Sequence, residues 1–570
     1  MKKKTLLIYF LLQIFFFISI PNLVYAKTLD KYNKSEKISS YFSGIISLYD
    51  NEYLNSFNYL KTLEGLENSH KFYSQIYQHT LVNLRKFDKV YSYSTKIVKD
   101  NPDDFQSNLI IGTYHLKKKQ YYKALNYFEK LNKPEQKDPL KKLLALSLKG
   151  WATFPSIEID EALNYLETLP KEFVNIASIQ RPFIHCFYNS DNTEQSFIDL
   201  TSNDQKDFSR YIFFLVNYLN RVSENKAAFK YLEESIIKNP NNLLLNQLKL
   251  DIPKKSENFS NQFDCKNPSN IIAEIFYIAA NSTAAQSAYY LSNFYLNLAV
   301  FLNPNFTSFE TLYAENLYMV DNFDEAKKVY NKTQKKGKIY KWYSAKQISN
   351  ILIKEDKEKK ANEYLKKQYD QIVTPSVYET YDYARFLNSN ENYEKAINYF
   401  TKVIDQIDEN HYLYPKATDG RGIANERQGN WEEAESDFLN SLRVKPNQPY
   451  VINYLAYSWI EKGLYIKKSL KMLEKANELK KNDGYIVDSL GWALFKLKKF
   501  KEAKNQLQFA VRIMPSDPII NDHFADSLWM NNQKVQARYY WKYVLTLKKT
   551  EEELKEKIQK KLLFGPNIKL

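Results

Sequence analysis

The sequence predicts an all-α fold, a right-handed superhelical solenoid of antiparallel helix pairs that is divided into two halves. One observation is a step of 34 residues between equivalent positions near the N-terminus, as in Gly44, Gln78 and Gly112. The same step returns near the C-terminus with one extra residue in its first interval, in Ala434, Ser469, Ala503 and Ala537. Apolar residues at i, i+3, i+4 and i+7 between these positions indicate short amphipathic helices. A fixed period of this length predicts stacked repeats that bury a continuous core.

Within each repeat the columns alternate between small and large residues. Small residues are expected to let the first helix approach the second, and they are Gly112, Gly422, Gly491 and Ala525. Alanines occupy the matching column of the second helix, at Ala124, Ala434, Ala503 and Ala537. The large column holds Phe128, Phe438, Leu507 and Trp541, which are expected to fill the space toward the next repeat. Prolines, which cannot continue a helix, follow the second helices at Pro102, Pro240, Pro304, Pro446 and Pro515. A 34-residue pair of helices is typical of the tetratricopeptide repeat (TPR).

The predicted domains follow the strength of this pattern along the chain. A signal peptide at 1–26 precedes an N-terminal TPR-like solenoid at 27–250, and an irregular linker at 251–270 leads to a C-terminal TPR solenoid at 271–549. A capping helix is predicted at 550–565. Thr550 and Glu553 read as a capping box for it, and its apolar stripe is Leu554, Ile558 and Leu562.

The first residues predict export. Three lysines precede an apolar run from Leu6 to Ile20, and Ala26 is a small residue at the expected cleavage position. An uncleaved anchor is the alternative, although about 15 apolar residues fall short of the roughly 20 needed to span a bilayer. The predicted location is therefore the periplasm. Because no cysteine stands at the cleavage junction, lipidation there is not expected, and peripheral membrane association stays open.

Composition excludes several classes of function. The formal charge of +15 comes mostly from lysines scattered beside acidic residues, which is not the footprint of a nucleic-acid partner. The six histidines do not pair at i, i+4, so neither a metal site nor a cofactor is predicted. The two cysteines, Cys186 and Cys265, either pair in an oxidising compartment or remain as two free thiols.

No catalytic motif is present, and the protein is predicted not to be an enzyme. Asp488, Asp522, His523 and Asp526 are the nearest approach to an acid–base cluster. Helical spacing puts Asp522 and Asp526 on one face and turns His523 away from it. A catalytic set would instead have to converge on a shielded pocket.

The same region predicts a partner-binding groove on the first helices of the last repeats. Its predicted residues are Tyr450, Asn453, Tyr457, Tyr485, Asp488, Trp492, Phe495, Asp522, Asp526 and Trp529, with Ile519 beside them. Asp419, Asn453, Asp488 and Asp522 form a polar column in it. The aspartates either complement helix dipoles or contact a ligand, and both roles can coexist. As a groove, this surface would suit an extended segment that offers basic groups or backbone N–H donors.

The C-terminal repeats resemble a particular group of exported proteins. The resemblance lies in Asn453 to Tyr457 (NYLAY), Asp488 to Trp492 (DSLGW) and His523 to Trp529 (HFADSLW), followed by Ala537, Arg538 and Trp541. These segments are similar to the TPR lipoproteins of the Gram-negative outer membrane. One branch of that group acts as adaptor for a periplasmic carboxyl-terminal processing protease. This chain lacks the lipidated cysteine and has Ala525 and Asp526 in place of the family's Gly-Glu pair.

Two functional hypotheses follow. The first is a non-enzymatic periplasmic scaffold or adaptor that binds envelope proteins, among them the processing protease that the resemblance implies. The alternative is an accessory protein of envelope polysaccharide export or cell-wall handling, in which exposed aromatic rings stack on sugars. The identity of the partner and the oligomeric state are open in both.

Overall fold

A computed structural model describes residues 28–66, 70–132, 137–202, 207–254 and 262–566. The described chain contains thirty α-helices joined by short turns, and the all-α prediction is confirmed. The predicted signal peptide lies outside the described residues. None of the helices in these ranges has both the length and the apolar character needed to cross a bilayer.

The chain divides into two compact units, one ending at Glu355 and the other beginning at Asp356. The helices of the first unit are α1 Thr28–Tyr49, α2 Tyr53–Leu60, α3 Lys71–Asn83, α4 Phe87–Asp100, α5 Phe105–Lys117, α6 Tyr121–Phe128, α7 Pro139–Thr153, α8 Ile159–Glu167, α9 Val174–Tyr188, α10 Thr193–Thr201, α11 Ser209–Arg221, α12 Asn225–Lys238, α13 Leu243–Asp251, α14 Pro268–Ala285, α15 Tyr289–Leu302, α16 Thr307–Met319, α17 Phe323–Thr333 and α18 Lys338–Lys354.

The second unit is the shorter of the two. Its helices are α19 Glu358–Asp370, α20 Val377–Ser389, α21 Tyr393–Ile404, α22 Tyr414–Arg427, α23 Trp431–Val444, α24 Pro449–Glu461, α25 Ile466–Leu479, α26 Gly484–Lys496, α27 Phe500–Ile513, α28 Pro518–Met530, α29 Lys534–Thr546 and α30 Glu552–Phe564.

The predicted columns pack as pairs within a repeat. A Cβ added at Gly112 would lie 2.3 Å from the ring of Phe128, and one added at Gly491 would lie 2.6 Å from Leu507. The large residue of the second helix therefore lies over the glycine of its own repeat, and not toward the next repeat as the sequence suggested. The five predicted prolines all follow the end of a second helix.

The second repeat shows why the small column can hold Gln78. In that repeat the large column holds Ser94, and the Gln78 amide donates hydrogen bonds to Ser94 (3.0 Å) and to Ser107 (2.6 Å). The long side chain thus comes from the first helix and the short one from the second. The combined volume is kept, which is the condition a close-packed interior imposes.

The turn between the two helices of a repeat also recurs every 34 residues. Asn51, Arg85 and Lys119 each have positive φ, between 56° and 60°. Only backbone geometry reveals this column, because three different non-glycine residues occupy it.

In the first unit, the hairpin of α14 and α15 packs across the first helices of the N-terminal repeats. Asn293 donates to the hydroxyl of Tyr53 at 2.7 Å, and Asn297 donates to Asn83 at 3.1 Å. Arg85 makes two 3.0 Å hydrogen bonds to the carboxylate of Glu310. The inner surface of these repeats is therefore covered by the chain itself.

The predicted linker at 251–270 lies inside this first unit and not between the two units. Its last three residues already belong to α14, which begins at Pro268. Cys186 and Cys265 form a disulfide with a Cα–Cα distance of 6.0 Å. This bond joins α9 to the segment that leads into α14, so that residues far apart in sequence meet because the unit closes on itself.

The C-terminal capping helix is present as α30, and Ile558 is fully buried in it. It ends at Gly565, which has a φ of +78°. The predicted capping box is wrong. Glu551, not Thr550, is the N-cap residue, and the Thr550 hydroxyl donates to the Val544 carbonyl at 2.6 Å.

Candidate functional site

A cavity of about 590 Å³ lies on the first helices of four successive repeats in the second unit, α22, α24, α26 and α28. Four of the predicted groove residues line it, Asn453, Tyr457, Tyr485 and Asp488. The structure brings these four together because the helices that carry them lie side by side. On neighbouring helices the four residues have the same register position or positions one turn apart.

The edge of the cavity carries exposed apolar side chains. Tyr485 is 55% exposed and Ile519 is 44% exposed. Tyr450, at the same register in the preceding repeat, is 53% exposed but lies outside the cavity lining, and its hydroxyl donates to Asp483 at 3.0 Å. We call Tyr450, Tyr485 and Ile519 the apolar edge. Three large apolar groups in a row at one register form a surface that would lose contact with water when a partner lies along it.

The helices behind the apolar edge are held by N-caps. The Asp483 carboxylate accepts hydrogen bonds from the N–H groups of Tyr485 and Ile486 at 3.2 and 3.4 Å. Asp517 does the same for the helix that carries Ile519. These two aspartates, which the sequence analysis overlooked, have the capping role that it offered for Asp488 and Asp522.

The inner wall contains an acceptor without a partner. The Oδ1 atom of Asn453 is buried and has no hydrogen bond within the described structure. Leaving a buried acceptor unsatisfied costs about 1–3 kcal/mol.

The far end of the cavity carries two acidic and two basic side chains. The Tyr454 hydroxyl donates to Glu426 at 3.0 Å, and the Trp492 indole N–H donates to Glu461 at 2.5 Å. Arg427 and Lys462 also line the cavity. Sequence reasoning missed Glu426 and Glu461. A signal for them was present in the sequence, since they stand 35 residues apart, the same interval that separates Ala434 from Ser469.

Asp488 faces His523 at the floor of the cavity. Its carboxylate oxygens lie 3.0 and 3.2 Å from His523 Nδ1, and both side chains are buried. The imidazole stacks on Trp492 with ring centroids 4.0 Å apart. Burial by itself lowers the pKa of His523, but the Asp488 carboxylate outweighs it and the pKa is raised overall.

The predicted groove residues Asp522 and Asp526 are not free to bind a partner. Both are buried, and Lys561 of α30 lies 2.8 Å from the carboxylate of each. Burial, with the neighbouring Asp522 charge, raises the pKa of Asp526 to about 7. Lys561 occupies the place that the sequence analysis assigned to a basic group of a partner.

The remaining predicted residues belong to the core or its border. Phe495 is buried and stacks on Trp492 at 4.8 Å. Trp529 is half-buried, and a Cβ at Gly565 would lie 2.6 Å from its ring. A helix register identifies the inward face correctly, but it does not show that α30 covers the last repeat.

Comparison with known proteins agrees with the tetratricopeptide repeat that the sequence predicts. No protein-family model matches the sequence. A TPR repeat-containing protein of Pseudomonas aeruginosa is 23% identical over 137 residues, which are 24% of this chain and 22% of the relative's length. The chain is built of tetratricopeptide repeats.

Two similar solved structures cover different shares of this TPR chain. The Cut9-Hcn1 hetero-tetramer of the APC/C is 12% identical and has a TM-score of 0.37, with 94% of this chain and 98% of that chain covered. A thermophilic TPR protein of Thermus thermophilus is 14% identical and has a TM-score of 0.29, with 33% of this chain and 100% of that chain covered.

Proposed function

We propose that this protein is a non-enzymatic scaffold or adaptor of the cell envelope that binds an extended segment of a partner protein in the cavity of the second unit. The observation that carries the proposal is the apolar edge, three exposed side chains at one register beside the cavity. An extended segment can lay apolar side chains along this edge.

Two features support an envelope location. The N-terminal sequence has the pattern expected of an export signal, and the bond between Cys186 and Cys265 is of a kind that persists in oxidising compartments. The resemblance of the C-terminal repeats to outer-membrane TPR lipoproteins makes a carboxyl-terminal processing protease the first partner to test. We propose periplasmic location and this adaptor role together.

The test is capture of the processing protease by the tagged full-length protein from envelope extract. The informative variant is Tyr485→Ala with Ile519→Ala, because both side chains line the cavity and are exposed, so that their loss leaves the core intact. Reversing the charge of Asp488 and Asp522 would be a poor test, since these buried carboxylates pair with His523 and Lys561.

Tyr539→Ala is the matched control, because Tyr539 is a similarly exposed tyrosine of the same unit outside the cavity. We expect protease capture by the native protein and by the control, with a loss of about tenfold or more in the double variant. Equal capture by all three proteins would exclude the cavity as the binding site. Retention of envelope glycan without any protein would favour the polysaccharide alternative.

A further inference from the structure

One edge of the second unit carries an excess of lysine. The helices α24, α26 and α28 lie side by side, so the turns that follow them lie along one edge. We call these turns, with the first residues of the helices that follow, the basic rim; its segments are 462–468, 497–503 and 531–537. They contain seven lysines and one glutamate. Three lysines and two aspartates stand in the corresponding segments at the other ends of the same helices, 445–451, 480–486 and 514–520.

The charge reverses at one register position within this unit. The second residue of the second helix is Glu394 in α21 and Glu432 in α23, but it is Lys467 in α25 and Lys501 in α27. An acidic residue in the first turn of a helix complements the helix dipole, and a lysine there opposes it. The stability of α25 and α27 therefore does not account for these two lysines.

Three lysines of the basic rim are exposed and have no carboxylate partner among the described residues, and they are Lys467, Lys498 and Lys501. Other lysines of the basic rim have a local contact. Lys468 lies 4.7 Å from the centre of the Trp459 ring, and Lys534 lies 5.2 Å from that of Trp529. The first three direct their charge at the solvent, where a negatively charged partner could meet it.

Exposed apolar side chains stand among these lysines. Val535 is 81% exposed, Tyr465 is 59% exposed and Leu464 is also exposed. Val535 has in α29 the position that Lys467 has in α25. A soluble polyanion would meet the lysines but has no apolar region for these three side chains. The interface of a lipid bilayer offers anionic headgroups and an apolar boundary together.

We propose that the basic rim binds the surface of a membrane that contains anionic lipids, with its lysines at the headgroups and Leu464, Tyr465 and Val535 at the interface. This contact goes beyond the proposed function, because its ligand is a lipid surface and not a protein segment. The apolar edge lies at the opposite ends of α24, α26 and α28, each of 13 residues and thus about 20 Å long. Membrane binding through the basic rim therefore leaves the apolar edge free for a partner.

The test is sedimentation of the full-length protein with vesicles of phosphatidylcholine, or of phosphatidylcholine mixed equally with phosphatidylglycerol. We expect tighter binding to the anionic vesicles, and weaker binding as salt is added. Lys467→Glu with Lys501→Glu should weaken binding to the anionic vesicles about twentyfold or more, from the loss of two lysines at the surface. The melting temperature of this variant should not fall, because α21 and α23 carry glutamate at the same position.

The matched control is Lys475→Glu with Lys542→Glu, which changes the net charge equally at exposed positions in the second halves of α25 and α29. This control should bind nearly as the native protein does. All variants keep the apolar run near the N-terminus, and the phosphatidylcholine vesicles report any binding that it causes.

A third variant separates a membrane from a soluble polyanion. Tyr465→Ser with Val535→Ser should weaken binding to the anionic vesicles and leave binding to dextran sulfate unchanged. Vesicle binding that this variant retains in full would assign the basic rim to a soluble polyanion and overturn the proposal. Equal binding of the native protein to both kinds of vesicle, or equal losses in the lysine variant and its control, would also overturn it.

Discussion

The inner faces of the two units are built from the same repeat but end in different environments. In the first unit the hairpin α14–α15 lies across the first helices. Asn293 bonds to Tyr53 at the start of α2, and Asn297 bonds to Asn83 at the end of α3. In the second unit Tyr450 and Tyr485, on the corresponding face, remain more than half exposed. The same face of a TPR can therefore become core or binding surface, depending on what the chain folds onto it.

The buried charges differ in the same way. Glu310 of the first unit has two cations, Arg85 and Lys332, within 3.0 Å. Although burial opposes it, these cations lower the pKa of Glu310. In the second unit one cation, Lys561, serves two carboxylates, and the pKa of Asp526 is raised. At these two sites the number of cations per carboxylate decides the direction of the pKa shift.

The largest loss of stability should come from removing the ion pair of Arg210, which joins α11 to α14 in the first unit. Arg210 contacts Glu274 of α14 at 2.6 and 2.8 Å, and the Glu274 side chain is almost fully buried. Arg210→Met leaves that carboxylate without a partner, so we expect a loss of about 3–5 kcal/mol in the free energy of unfolding of this unit. Urea denaturation followed by hydrogen exchange of α14 peptides measures it.

Two comparisons sharpen the Arg210 result. Arg221 pairs with Asp264 in a largely exposed position, and Arg221→Met should have a far smaller effect. The loss at Arg210 should also shrink at acidic pH, where Glu274 can take up a proton. Equal effects of the two substitutions would contradict the buried-charge explanation.

Removing the disulfide should have the next largest effect on stability. This effect should also be confined to the first unit. Cys186 and Cys265 enclose a separation of 79 residues. Replacing both by alanine removes a long cross-link from the unfolded chain, and we expect a cost of about 2–5 kcal/mol. Exchange rates measured with and without reductant should change in the first unit only, since the second unit contains no cysteine. A change in both units would show that they unfold together.

Removing Lys561 should cost less than removing Arg210. Lys561→Met leaves Asp522 and Asp526 without their cation, but α30 is the last described helix and can detach so that water reaches both carboxylates. We expect a loss of about 1–3 kcal/mol and faster exchange in α30. Lys557→Met on the same helix, where the pair with Glu553 is exposed, is the control and should change nothing measurable. A loss as large as that of Arg210→Met would mean that α30 cannot detach.

The stability of the second unit should also depend on pH. Because burial raises the pKa of Asp526 to about 7, the folded state holds its proton more tightly than the unfolded state does, and stability falls as pH rises from about 4 to 7. The raised pKa of His523 acts in the same direction, since its stabilisation is lost above the ordinary value near 6.5. Melting of the second unit at pH 5 and pH 8 measures the slope, which Asp526→Asn should reduce. Stability that rises with pH would contradict both assignments.

Much of the fold follows from local patterns in the sequence. Gly491 and Leu507 identify their helix pair because a small and a large residue at matched positions have few other ways to pack. Tyr485 and Ile519 could be placed on the inner face from the helix register, and the structure has them at the cavity. Asp522 could not be distinguished from a free groove residue, because its partner Lys561 lies 39 positions away on a helix outside the repeat.

The sequence by itself determined the repeat, the ends of the five second helices that prolines follow and the inward face of the C-terminal first helices, because these depend on residues within about one period of each other. Only the tertiary structure decided that α14 and α15 cover the first unit, that Cys186 and Cys265 meet, and that Lys561 rather than a partner holds Asp522 and Asp526. A periodic pattern specifies how a repeat contacts its neighbours. Contacts between distant repeats depend on how small rotations accumulate along the array, and no local pattern records that sum.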